Sequence, residues 1–143
     1  GAEPHPRVYR PRTGYEDVEK TAQLILARVP DQPLALEFLG LARGNEGKRD
    51  EAVELLRKAA KLDPDRVETQ YNLGLHLAAR GDRDEAAKAF ERAIAGRPNF
   101  VAAWIHLGDL REGKDAIAAY ERALEIDPGS TRAAESLARA PTH

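Results

Sequence analysis

Apolar residues return along this chain in two interleaved rhythms, a helical spacing of three and four residues within short blocks and a longer beat that repeats the blocks themselves. Leu39-Gly40, Leu73-Gly74 and Leu107-Gly108 recur at one constant interval, and Pro30, Pro64 and Pro98 keep the same interval. A beat of that length marks a stacked helical array, in which neighbouring units bury the apolar face that a lone unit would leave wet. The most regular block runs from Val67 to Phe100, with Tyr71, Leu73, Gly74 and Leu77 before a polar Arg80-Gly81-Asp82 turn and Ala86, Phe90, Ala93 and Pro98 after it.

Taken in order, residues 1–12 hold Pro4, Pro6 and Pro11 between Arg7, Arg10 and Arg12, which predicts an extended arm because proline removes backbone donors and disfavours helix at the residue before it. Val8 and Tyr9 are candidates within it for docking on apolar surface. Thr13 and Glu16 have the spacing of a capping box, so a helix is expected to start there. Val18, Ala22, Ile25 and Val29 lie on one face of that helix, and Pro30 ends it. By register, residues 13–32 form the second helix of a repeat whose first helix is missing, leaving one flank uncovered. Repeat one spans 33–66, repeat two 67–100 and a shortened repeat three 101–130, followed by a polar capping helix over 131–140. Ala116, Tyr120, Ala123 and Pro128 arrive four residues early, a loss of about one helical turn that keeps the same faces pointing inward.

Together Tyr71-Asn72-Leu73-Gly74, Ala86, Phe90, Pro98 and their counterparts resemble the tetratricopeptide repeat, with Gln70 where the family usually has Trp and Trp104 in register in repeat three. The resemblance implies an all-α, right-handed superhelical solenoid of antiparallel pairs, about eight helices in all. Gly40, Gly74, Gly108, Ala52, Ala86 and Ala116 fall where the family's helices approach closely, and larger side chains would overpack there.

Composition narrows the chemistry. The chain has 143 residues, 42% of them hydrophobic, enough for one domain with a sizeable core. A net charge of -2 from 22 basic and 24 acidic residues argues against a nucleic-acid surface. No apolar run has transmembrane length, so no membrane insertion is expected and the location reads as cytoplasmic, or periplasmic for an excerpt or processed form. Gly1-Ala2 without an initiator Met reads as such a form. Cysteine is absent, which removes disulfides and thiolate chemistry. His76 and His106 lack metal-ligand spacing, Ser130 and Ser136 lack a nucleophile elbow, and Gly40, Gly44 and Gly47 do not follow a strand. Asp50-Glu51 and Asp84-Glu85 suit the first turns of helices, where they complement the dipole. No enzyme activity and no cofactor are expected.

The resemblance further implies that first helices line a concave groove. Carried over, its positions fall on Glu37, Phe38 and Leu41 in repeat one, Tyr71, Asn72 and Leu75 in repeat two, and Ile105, His106 and Asp109 in repeat three, with Leu34, Gly44, Asn45, Glu68, Ala78, Ala79 and Ala102 completing the set. Phe38, Leu41, Tyr71, Leu75 and Ile105 would form an apolar strip. Asn72 would fix the register of a bound peptide, because a carboxamide both donates to and accepts from a peptide group. Glu37, Glu68 and Asp109 would favour a neutral or basic ligand. Chaperone-binding members grip a terminal carboxylate with Lys, Asn and Arg, but the matching positions hold Glu37, Leu41, Asn72, Ala102 and His106, so that clamp is absent. The expected function is a protein-protein interaction scaffold. The alternatives are a module that homodimerises through Tyr15, Val18, Ala22 and Ile25, or the non-catalytic part of a larger enzyme, since similar arrays precede transferase and hydroxylase domains in other family members.

Overall fold

The computed structural model describes residues 14–140, without the side chain of Tyr15. The extended arm, Thr13 of the capping box and residues 141–143 lie outside the described residues. Among the described residues eight helices follow one another: α1 (Gly14–Arg28), α2 (Pro33–Asn45), α3 (Arg49–Leu62), α4 (Val67–Arg80), α5 (Arg83–Gly96), α6 (Val101–Leu110), α7 (Gly113–Ile126) and α8 (Thr131–Arg139). The described residues contain no strand, in agreement with the all-α expectation.

Local chemistry sets the helix ends. Gln32 caps α2 by accepting from the Ala35 amide at 2.6 Å, with Pro33 in the first turn where its missing N–H costs nothing. Ser130 caps α8 through its hydroxyl. The α4–α5 turn needs a left-handed residue, and Gly81 supplies it with φ 93°, so that the Gly81 and Asp82 amides bond back to Ala78 and Leu77.

Each helix packs on the next, and the backbones of α2, α4, α6 and α8 also approach one another in series, whereas those of α1, α3, α5 and α7 stay further apart. The array therefore curves, with the first helices on its inner side. Within each pair the close approach joins a glycine of the first helix to a large side chain of the second. A Cβ on Gly40 would lie 3.1 Å from Leu56, one on Gly74 2.8 Å from the Phe90 ring, and one on Gly108 2.5 Å from the Tyr120 ring. Ala52, Ala86 and Ala116 are buried beside these contacts. The main core gathers Val53, Leu56, Leu73, Leu77, Phe90 and Leu107, and thinner clusters close each end around Ala22, Ala35 and Leu39 and around Ile105, Tyr120 and Ala133. The four missing residues of repeat three come from its first helix: α6 has 10 residues where α4 has 14, and α7 keeps 14.

Between repeats, charged pairs run along the array. Arg57 of α3 donates to Glu85 of α5 through two nitrogens, at 2.8 and 2.6 Å, and Arg43 of α2 pairs with Glu19 of α1. A two-pronged guanidinium-carboxylate contact fixes geometry better than a single ammonium does.

Candidate peptide groove

On the inner side, the nine residues carried over from the repeat pattern separate by their position in the repeat. Phe38, Asn72 and His106 are equivalent, one to each repeat, as are Leu41, Leu75 and Asp109. These six are exposed or partly exposed, with Phe38 at 38%. The third set, Glu37, Tyr71 and Ile105, turns instead toward the junction with the next helix pair, where Arg66 and Phe100 cap α4 and α6. Glu37 is 1% exposed and accepts from Arg66 Nε at 3.0 Å. Tyr71 lies against Phe100, ring centroids 4.6 Å apart, and Phe100 holds the place in its repeat that Arg66 holds in the one before. Ile105 is 4% exposed in the cluster with Tyr120, Ala123 and Ala133.

Thus Glu37 and Ile105 do not open onto the groove. Arg66, which leads into the next helix pair, closes over Glu37, and α7 with the capping helix closes over Ile105. Tyr71 is intermediate, because Phe100 covers one face of its ring while Phe90 and His106 approach it at 5.8 Å. Burial pushes its hydroxyl above the usual phenol range.

The acidic groups of this surface are engaged. Asp109 accepts from the Tyr120 hydroxyl at 2.6 Å and lies 3.6 Å from Arg132 of α8. Glu68 pairs with Arg97 at 2.7 Å, a bond that lowers its pKa. Burial, together with the hydrogen bond to Asp109, raises the pKa of Tyr120. His106 stacks on Phe90 at 5.4 Å and 14°, and burial lowers its pKa, with Arg132 acting in the same direction and Asp109 against it. It is therefore a neutral donor and acceptor at pH 7. The Asn72 carboxamide makes no hydrogen bond to another described residue, while its backbone oxygen accepts from His76 Nδ1 at 2.9 Å. His76 itself fills the space above Gly44.

Sequence reasoning missed Arg66 and Arg132 as partners of this face. No local spacing signals them, since Arg66 lies 29 residues from Glu37 and Arg132 reaches back from the capping helix. A separate apolar cleft of about 420 Å³ opens between α1 and α2, lined by Val18, Ala22, Ile25, Leu34, Ala35 and Phe38 with Asp17, Thr21 and Gln32 at its edge.

Among the described residues no group of three His, Cys, Asp or Glu side chains is placed to hold a metal ion, and no helix is long and apolar enough to cross a membrane. The geometry offers a shaped, mostly neutral surface with one unengaged amide at its centre.

Comparison with known proteins agrees with the architecture. The family model described as tetratricopeptide repeat matches twice, over residues 39–99 and 71–131. The chain is 38% identical over 132 residues to the peroxisomal targeting signal receptor of Komagataella phaffii, covering 89% of this chain and 21% of the receptor. It is 34% identical over 130 residues to cellulose synthase operon protein C of Xanthomonas axonopodis pv. citri, covering 83% of this chain and 9% of that protein. The crystal structure of MamA superposes with a TM-score of 0.80 at 29% identity, covering 86% of this chain and 74% of that one.

Proposed function

Since the chain belongs to the tetratricopeptide repeat family, we propose that it is a protein-protein interaction scaffold that holds a peptide segment or helix of a partner on its concave face. The carrying observation is the Asn72 carboxamide, without a hydrogen-bond partner among the described residues and flanked by the partly exposed Tyr71 and Leu75. A bound backbone would exchange one donor and one acceptor with it, and Phe38, Leu41, Tyr71 and Leu75 would take alternating apolar side chains. His106 would add a neutral hydrogen-bonding group at the far end.

The ligand chemistry follows from the acids. Glu68 and Asp109 are held by Arg97, Arg132 and Tyr120, so little free negative charge faces a ligand. This favours a neutral, partly apolar segment over a strongly basic one. That a receptor for a targeting signal is among the relatives is consistent with recognition of a short segment. A second reading, the non-catalytic part of a longer chain, is supported by the small shares of the relatives that this chain spans, 21% and 9%.

The test is capture of partners with the intact chain, followed by calorimetry on the captured segment. Asn72→Ala should weaken binding by roughly tenfold, about the value of one or two peptide hydrogen bonds, at unchanged melting temperature. Unchanged affinity would reject the assignment of Asn72.

A further inference from the structure

Five of the six exposed large apolar side chains among the described residues gather at the α1 end of the array. Leu24 (71% exposed), Ile25 (40%) and Val29 (51%) lie on α1 or just after it, and Leu34 and Phe38 lie on α2. At the other end α8 leaves Arg132, Glu135 and Arg139 exposed instead. Part of the α1 face is what a missing first helix would leave bare, since Val18 and Ile25 stand one repeat before Ala52 and Ala59, which are buried under α2. Leu24 is not part of it. Its equivalents in the following repeats are Lys58, Arg92 and Arg122, all of them exposed. Completing the repeat would leave Leu24 in water, so its junction with Ile25 forms an apolar patch that reaches beyond the seat of a first helix.

We propose that a second copy of this chain covers the patch, with the two α1 helices antiparallel about a two-fold axis midway between Thr21 and Leu24. Asp17, Thr21, Leu24 and Arg28 follow one another at spacings of four, three and four residues, which places them on one face of α1. Reversed, that order complements itself. Asp17 meets Arg28 of the second copy and Thr21 meets Leu24, and each pairing occurs twice because a two-fold contact is self-matching. The two Leu24 side chains start about 4–5 Å apart along the helix direction with the Ile25 pair beside them, so the centre is apolar and both ends are ionic. A parallel pair would set Asp17 on Asp17 and Arg28 on Arg28. Head-to-tail stacking fails as well, because α8 offers no exposed large apolar side chain to match Leu24 and Ile25. One helix pair buries less than the ~1,200 Å² of a stable interface, so the dimer is weak and concentration-dependent. It leaves the groove around Asn72 open, and the inference does not rest on the proposed function.

Sedimentation of the full chain over a concentration series reads the association directly, and the dimer fraction should rise between about 10 μM and 1 mM. Leu24→Lys gives α1 the side chain that α3 carries at Lys58. It should weaken association by about tenfold or more, with helix content and melting temperature unchanged because the position is exposed. Arg28→Asp should weaken association too, by setting two acids together, and adding Asp17→Arg should restore it. Three results would overturn the proposal: a monomer at every concentration, a dimer indifferent to Leu24→Lys, or a loss on Arg28→Asp that Asp17→Arg does not recover in a chain of unchanged helix content.

Discussion

Gly74→Ala tests the contact on which the repeat is built. Alanine favours a helix interior over glycine by about 1 kcal/mol, so on propensity alone the change would stabilise α4. Its Cβ, however, would lie 2.8 Å from two atoms of the Phe90 ring and 2.9 Å from a third. The ring is 0% exposed and has Tyr71 edge-on at 5.8 Å and His106 stacked at 5.4 Å, so no free space lies beside it. Overpacking costs ~1–3 kcal/mol, and a ring with no room to yield sets the upper part of that range, about 2–3 kcal/mol. The net expectation is a loss of about 1–2 kcal/mol, and a melting temperature lower by roughly 3–8 °C for a chain of this size. Chemical denaturation followed by circular dichroism measures it. Gly129→Ala is the control, with only Asp127 Oδ1 within contact range at 3.5 Å, and should change little. Phe90→Leu recreates the Gly40–Leu56 pairing, where the approach relaxes to 3.1 Å, so the double variant should be more stable than the two single losses predict, by about 1 kcal/mol. A neutral or stabilised Gly74→Ala, or strict additivity with Phe90→Leu, would refute the reasoning.

Three further predictions concern other side chains. Arg66→Ala leaves the Glu37 carboxylate buried without its cation and should destabilise the fold by ~2–4 kcal/mol in denaturant titration, whereas adding Glu37→Leu should recover most of the loss. His106 is held below its ordinary pKa by burial, so the unfolded chain binds its proton first; stability should fall as pH drops from about 6.5 through the lower folded-state value, and His106→Gln should flatten the melting profile there. Leu77→Ala, at 0% exposure in the main core, should cost ~2–5 kcal/mol by the same denaturation assay.

Much of this fold is legible in the sequence because its decisive contacts recur at one spacing. Leu-Gly pairs and closing prolines mark each repeat, and the partner of each glycine lies on the helix that follows it, as Leu56, Phe90 and Tyr120 do. Burial on the inner face is less legible, since it depends on the residue that leads into the next helix pair and, at the end of the array, on the capping helix. Glu37, Tyr71 and Ile105 are equivalent, yet Arg66, Phe100 and the α8 cluster close over them to different degrees. The shortening of repeat three could be counted in the sequence, but its assignment to α6 rather than α7 required the pairing of Gly108 with Tyr120. The cleft between α1 and α2 was foreshadowed by the uncovered flank. Its shape was not, because it depends on how the side chains of α1 and α2 meet, which no single position encodes.

The most direct test of the scaffold reading is a chemical-shift titration of the isotope-labelled chain with a segment captured from its partner. The account predicts shifts concentrated on Phe38, Leu41, Tyr71, Asn72, Leu75 and His106, with α3, α5 and α7 unmoved on their outer faces. Shifts confined to those outer faces, with Asn72 unmoved at saturation, would contradict it.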